Sequence, residues 1–273
     1  MLTRILTAFA CLAIFLPIMY FSGTYVFDVF IALVSLVAVY ELMNCFGMKK
    51  SIAVFIPVYA YAMALPLYTE VSYKYIYNLS MLLIFVLMFV SVTSRGRYNI
   101  EKLAALATFS VYVVTSLTGL ILLRRMECGE FMVWLVFIGA WGTDTAAYFV
   151  GRFLGKHKLI PDVSPKKTVE GAVGGVIVCT ALFVAYGYLV EHFANVDANL
   201  PYITLAGLVA SVVSQLGDLV MSKLKRTYSI KDFGNLLPGH GGVLDRFDSI
   251  LAVVPFLMVI TSRTDIIYIF KAL

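Results

Sequence analysis

A chain of 273 residues that is 61% hydrophobic and only 14% charged, with a mean hydropathy of +0.92, has too little polar surface to cover a water-soluble core. Its net charge of +5 is not gathered in a long basic run, so it is not a nucleic-acid signature; anionic headgroups and phosphate ligands are the natural partners of the excess. The four cysteines, Cys11, Cys45, Cys128 and Cys179, lack metal-ligand spacing and read as small hydrophobic side chains.

Apolar runs of about 18 residues or more suffice to cross a bilayer. The hydropathy pattern predicts nine of them, roughly 5–22, 24–46, 51–68, 76–94, 104–123, 130–152, 168–190, 201–222 and 247–263. Backbone groups in lipid must be satisfied within the segment, and no short alternating strands occur, so the expected fold is all-α, a polytopic membrane protein. The first run has one Arg and no clear small-x-small cleavage site, which predicts an uncleaved span rather than a signal peptide. Asp28 and Glu41 stand near the ends of the second run, where snorkelling or a helix-end contact accounts for them. Pro17, Pro57 and Pro66 are expected to kink their helices. Residues 1–123 thus read as a membrane scaffold, distinct from 124–273, which carry the longer charged loops.

With the N-terminus in the cytoplasm, nine spans place sixteen of the 21 Lys and Arg residues on that side, among them Arg4, Lys49, Lys50, Arg95, Arg97 and Lys102. Lys74, Arg124, Arg125, Arg263 and Lys271 fall on the other. The split follows the positive-inside rule and predicts N-in, C-out.

From residue 130 the texture changes. "FIGAWGTDTAAYFVGRFLGKHKLIPDVSPKKTVEGAVGG" puts Asp144 well inside the sixth span, and "SQLGDLVMSKLKRTYSIKDFGNLLPGHGGVLDRFDS" puts Asp218 inside the eighth. A membrane-embedded charge costs on the order of 3 kcal/mol or more unless paired or hydrated. Two such aspartates feeding the two most basic loops predict a polar cavity open to the cytoplasm. No internal repeat accompanies them, which weighs against an inverted-repeat transporter.

Asp218 and Ser222 are four apart and share a helix face, with Lys225 and Arg226 about two turns on. The cations read either as phosphate ligands or as positive-inside anchors. Pro238-Gly239-His240-Gly241-Gly242 opposes helix formation and can bring backbone N–H groups close to an anion, beside the N-terminus of the ninth helix. Asp245 and Asp248 project from one side of that helix's start, as caps or as oxygen ligands for a hard cation such as Mg²⁺. His240 reads as a hydrogen-bonding loop residue rather than a metal ligand. In the sixth loop Ser164-Pro165-Lys166-Lys167-Thr168 leads to Glu170. Ser164 or Thr168 can cap the next helix, while Lys166 and Lys167, with Arg152, Lys156 and Lys158, can hold a polyphosphate. Gly171 and Gly175 are spaced for close helix packing. Gly151-Arg152-Phe153-Leu154-Gly155-Lys156-His157 is one residue short of a P-loop and lacks its Ser or Thr.

The second long stretch resembles the signature of the phosphatidate cytidylyltransferases, the CDP-diacylglycerol synthases. Ser214, Asp218, Ser222, Lys225, Arg226, Lys231, Asp232, Pro238, Gly239, His240, Gly241, Gly242, Asp245, Arg246 and Asp248 carry the match. The first stretch is similar to the family through Asp144, Tyr148, Gly151, Arg152, Gly155, Ser164, Pro165, Lys166, Lys167, Thr168, Glu170 and Gly171. The resemblance implies CTP plus phosphatidic acid giving CDP-diacylglycerol and pyrophosphate, assisted by one or two Mg²⁺ ions. Asp218, Asp245 and Asp248 are then expected to bind metal, and Asp144 to complete the site or orient a lysine. Lys225, Arg226 and Arg246 are expected to neutralise phosphates. Ser164, Lys166, Lys167, Thr168, Ser222, Lys231 and Gly239 to Gly242 are expected to bind substrate. The implied partners are CTP, phosphatidic acid and membrane lipids, with a homodimer allowed and no nucleic acid, and the implied place is a bacterial inner membrane with the site facing the cytoplasm. A CTP-dependent polyprenol-type lipid kinase and an ion-coupled transporter are the rival readings.

Overall fold

A computed structural model describes residues 2–49, 51–261 and 268–272. Lys50 and Arg263, both counted in the charge split, lie outside the described residues, as does the end of the ninth expected segment. Every one of the nine apolar segments is helical: α1 (Leu2–Tyr20), α2 (Tyr25–Cys45), α3 (Ile52–Leu67), α4 (Thr69–Thr93), α5 (Ile100–Arg124), α6 (Gly129–Phe137) continued through a π-helical turn at Ile138–Gly142 into α7 (Thr143–Leu154), α8 (Val169–Phe193), α9 (Leu200–Thr227) and α10 (Leu244–Thr261). Among the described residues six helices are long and apolar enough to cross a membrane, namely Tyr25–Cys45, Tyr75–Thr93, Ile100–Arg124, Gly129–Leu154, Val169–Phe193 and Leu200–Thr227. The apolar parts of α1 and α3 are shorter, and α10 opens with Asp245, Arg246 and Asp248. This is the architecture of a polytopic helical membrane protein.

The chain is mostly helical, as expected, with short strands beside the helices among the described residues. Two small antiparallel pairs occur: β1 (Lys158–Ile160) with β2 (Ser164–Thr168), and β3 (Val196–Ala198) with β4 (Phe270–Ala272). Strands of three to five residues are too short to show an alternating pattern, and pairing partners fix them instead.

The chain divides into two compact units, Met1–Leu122 with Thr227–Phe247, and Leu123–Arg226 with Asp248–Leu273. In the first, Thr24 caps α2 by accepting from Val26 N at 3.3 Å, and Asp28 sits buried in its first turn. The helix packs on α3, which packs on α4. The glycine-rich stretch makes a tight turn, with Leu237 N donating to Gly241 O at 2.9 Å and His240 N to Leu237 O at 2.8 Å. Gly239 and Gly241 take φ of +77° and +87°, which a side chain would strain.

In the second unit α7 and α8 lie against each other along small residues. A Cβ at Gly171 would stand 2.7 Å from Ala147 O, and one at Gly175 would stand 3.2 Å from Thr143 O, so the glycine pair does serve close packing. Thr168 ends β2 and caps α8, accepting from Gly171 N at 3.2 Å. Of the two caps expected there, this is the one used. α9 meets α10 at Gly217, where a Cβ would be 2.5 Å from that of Ala252. Further along, Tyr202 donates to Ile260 O at 3.1 Å. Cys45, Cys128 and Cys179 are buried free thiols, whereas Cys11 is exposed.

Candidate active site

The second unit gathers most of the ionised residues singled out above. The π-helical turn ends at Gly142, two residues before Asp144, and such widened turns recur at functional sites because they re-aim the side chains beyond them. Asp144 lines a cavity of about 300 Å³ together with Tyr148, Arg152, Lys166, Lys167, Gln215 and Asp218. Each wall has a structural cause. α7 contributes Asp144, Tyr148 and Arg152 at helical spacing, with Arg152 Nη1 donating to Tyr148 Oη at 2.8 Å. Strand β2 of the β1–β2 hairpin contributes Lys166 and Lys167 to the lining. From α9 come Gln215, whose Nε2 donates to Ala172 O at 3.2 Å, and Asp218 one turn later.

Asp218 is the hub. Its Oδ2 pairs with the Lys167 ammonium, and its Oδ1 accepts from Ser222 Oγ at 3.4 Å, the shared helix face that the i, i+4 spacing predicts. The close approach of α9 and α10 at Gly217 brings Asp248 alongside. Asp248 is buried, and Asp218, Lys225 and Asp144 are the charged groups that bear on its carboxyl. Ser249 joins the acids: its N–H donates to Asp248 Oδ1 at 2.9 Å and its Oγ to Asp144 Oδ2 at 2.8 Å. Lys225 is buried, so it is more than a surface anchor, while Arg226 is exposed. Crowding three acids in low dielectric is costly, and the buried Lys225 and half-buried Lys167 ammonium groups offset it.

Glu170, at the start of α8, holds the loop that follows α7. Its carboxylate accepts from Lys156 N at 3.0 Å and His157 N at 3.2 Å and meets His157 Nδ1 at 2.6 Å, tying the loop after α7 to the start of α8. Gly151 and Gly155, the glycines of the false P-loop, pack on Thr168 instead: a Cβ on either would stand 2.7 Å from Thr168 Oγ1.

The other expected residues lie in the first unit, where the acids hold the loop. Asp245 Oδ2 accepts from Phe233 N at 2.8 Å and Gly242 N at 3.0 Å. Glu41, buried in α2, accepts from Val243 N at 3.0 Å and Leu244 N at 2.8 Å. His240 N and Gly241 N both donate to Leu237 O. The N–H groups of residues 240–244 are thus bonded within the loop and to its two acids. Lys231 and Arg246 are exposed there.

Sequence reasoning grouped Asp218, Asp245 and Asp248 as metal ligands, with Asp144 beside them and Lys167 on a separate basic loop; in the second unit Asp144, Asp218, Asp248, Lys167 and Lys225 lie together, while Asp245 bonds Phe233 N and Gly242 N in the first. Sequence reasoning missed Ser249 and Gln215, ordinary polar residues whose only signal is proximity to an acid in the folded chain.

An acid–lysine cluster on apolar helices, with the hairpin lysines in its lining, is suited to anionic phosphate chemistry. The chain matches the cytidylyltransferase family over residues 2–263. It belongs to that family. It is 36% identical over 264 residues to the phosphatidate cytidylyltransferase of Staphylococcus haemolyticus, covering 95% of this chain and 98% of that one. It is 34% identical over 268 residues to the protein of that name from Staphylococcus epidermidis, covering 97% and 100%. With the Bacillus subtilis phosphatidate cytidylyltransferase it shares 38% identity over 181 residues, 66% of each chain.

Family membership points to metal-dependent nucleotidyl transfer, and the donor set can be tested against it. Among the described residues no three His, Cys, Asp or Glu side chains stand together at metal-holding distance. The chemistry nevertheless fits a hard cation: Asp144, Asp218 and Asp248 offer only oxygen, and a cation, the Lys167 ammonium, already sits on Asp218 Oδ2.

Proposed function

We propose that this cytidylyltransferase-family protein is a phosphatidate cytidylyltransferase, forming CDP-diacylglycerol and pyrophosphate from CTP and phosphatidic acid. The observation that carries the reading is the cavity lined by Arg152, Lys166 and the Lys167–Asp218 pair, in a chain aligned almost end to end with proteins of that name. A phosphate oxygen of phosphatidate forms a bond to the α-phosphorus of CTP. The bond from that phosphorus to the bridging oxygen breaks, and pyrophosphate leaves with the electron pair. The attacking phosphate is already ionised, so no general base is required. Charge neutralisation is the main barrier, and fixed cations are the means of lowering it.

Lys166, Lys167, Lys225, Arg226 and Arg246, with Lys231, supply that charge. Ser164, Thr168 and Ser222 bind or orient substrate, as do Gly239, His240, Gly241 and Gly242 through the turn they build. Asp218 and Asp248 would hold Mg²⁺, with Asp144 orienting through Ser249; Asp245 stays in the metal set on its chemistry alone. One or two such ions would neutralise phosphate oxygens. Nine spans with a cytoplasmic N-terminus put the basic loops, and so the site, on the cytoplasmic face of a bacterial inner membrane. Residues 124–273 carry the catalytic groups, and a homodimer is the assembly we favour.

The test is product analysis. Purified protein with phosphatidic acid, Mg²⁺ and CTP labelled at the α-phosphate is expected to move label into lipid and release pyrophosphate. Release of labelled CDP with phosphorylated lipid would mean a kinase, and no turnover with substrate movement across vesicles a transporter.

A further inference from the structure

We infer that Glu41, on the second helix and far from the signature in sequence, is a positioning residue for the reaction. The inference rests on the cytidylyltransferase reading above. Glu41 is 3% exposed on an apolar helix, where an ionised carboxylate is costly unless fully engaged. It is engaged at one place. Its Oε1 accepts from Val243 N at 3.0 Å and its Oε2 from Leu244 N at 2.8 Å, two N–H groups at the start of α10 that have no partner inside the helix. The acceptor of an N-cap ordinarily comes from the residue just before the helix. Here it comes from 202 and 203 positions away.

The surroundings are shaped to admit this carboxylate. Gly234 and Gly242 flank it, and a Cβ at either would collide with its oxygens. Asp245 closes the other side of the same loop by holding Phe233 N and Gly242 N. Two acids therefore fix four consecutive or facing N–H groups around the turn that leads into α10. The helix opens with Asp245, Arg246 and Asp248, all reaction residues in our reading. Glu41 thus sets where that opening begins and which way its first turn faces. It touches no reacting atom; its effect runs through α10.

The test uses full-length protein in detergent or nanodiscs. Glu41→Gln keeps the volume but turns an N–H toward either Val243 N or Leu244 N. It is expected to lower kcat/KM for CTP about tenfold or more while the thermal unfolding midpoint stays near wild type. Glu41→Ala leaves a carboxylate-sized gap at a helix N-terminus, so added formate is expected to restore part of its turnover and to do nothing for Glu41→Gln. Wild-type turnover in Glu41→Gln overturns the inference. So does activity that falls only in step with the folded fraction and ignores formate. Should the wild type release no pyrophosphate, the reading of function fails, yet amide exchange still decides the positioning claim: faster exchange at Val243 and Leu244 in Glu41→Gln supports it, and unchanged exchange overturns it.

Discussion

Asp218 has one oxygen on a serine of its own helix and the other on a lysine delivered by a hairpin. Neither contact alone makes a site, but together they give one carboxylate both a hydroxyl donor and a cation. Lys167→Ala leaves that carboxylate without its ammonium and the cavity without one of its cations. We expect kcat/KM for CTP to fall about 100-fold, equivalent to roughly 2.7 kcal/mol of transition-state stabilisation, with Lys167→Arg keeping more of it. Ser249 offers a finer probe. Ser249→Ala removes only the bond to Asp144 Oδ2, so a loss of about tenfold in kcat is expected, in line with roughly 1.5 kcal/mol for a buried hydrogen bond to a charged group. Steady-state kinetics on both variants check these values.

At the scale of elements, glycines set how close the helices come, and through that where the acids meet. Gly217→Val would drive a side chain into Ala252. The strain should cost about 1–3 kcal/mol, as overpacking does, and part Asp218 from Asp248. The expected outcome is a lower unfolding midpoint together with loss of turnover. This level also marks what could be read beforehand. The Asp218–Ser222 face, the Thr168 cap and the Gly171–Gly175 packing are local, set by spacings of three or four residues, and the sequence carries them openly. The β1–β2 hairpin is hidden because three and five residues show no period. Glu41 shows only as an acid near a helix end; its contact is indeed with a helix end, but one more than 200 residues on, which no local pattern can encode. Ser249 is legible only once Asp144, 105 residues earlier, is known to lie beside it.

For the whole molecule, a chain this apolar is organised by its loops. If nine spans start from a cytoplasmic N-terminus, exposed Lys49 and Lys223 share a face and exposed Arg125 lies on the other. In a variant cleared of its four native cysteines, Lys49→Cys and Lys223→Cys should be labelled by an impermeant reagent in inside-out vesicles, and Arg125→Cys only in right-side-out ones. Labelling of all three from one side would break the nine-span topology. The chemistry at the centre is tested more directly by pyrophosphate release from CTP and phosphatidic acid with Asp218→Asn beside the wild type. The amide keeps the shape and removes the charge. Brisk release by the wild type and a loss of two orders of magnitude or more (about 3 kcal/mol) in a folded Asp218→Asn is the predicted result; near-normal release by the variant would contradict the account.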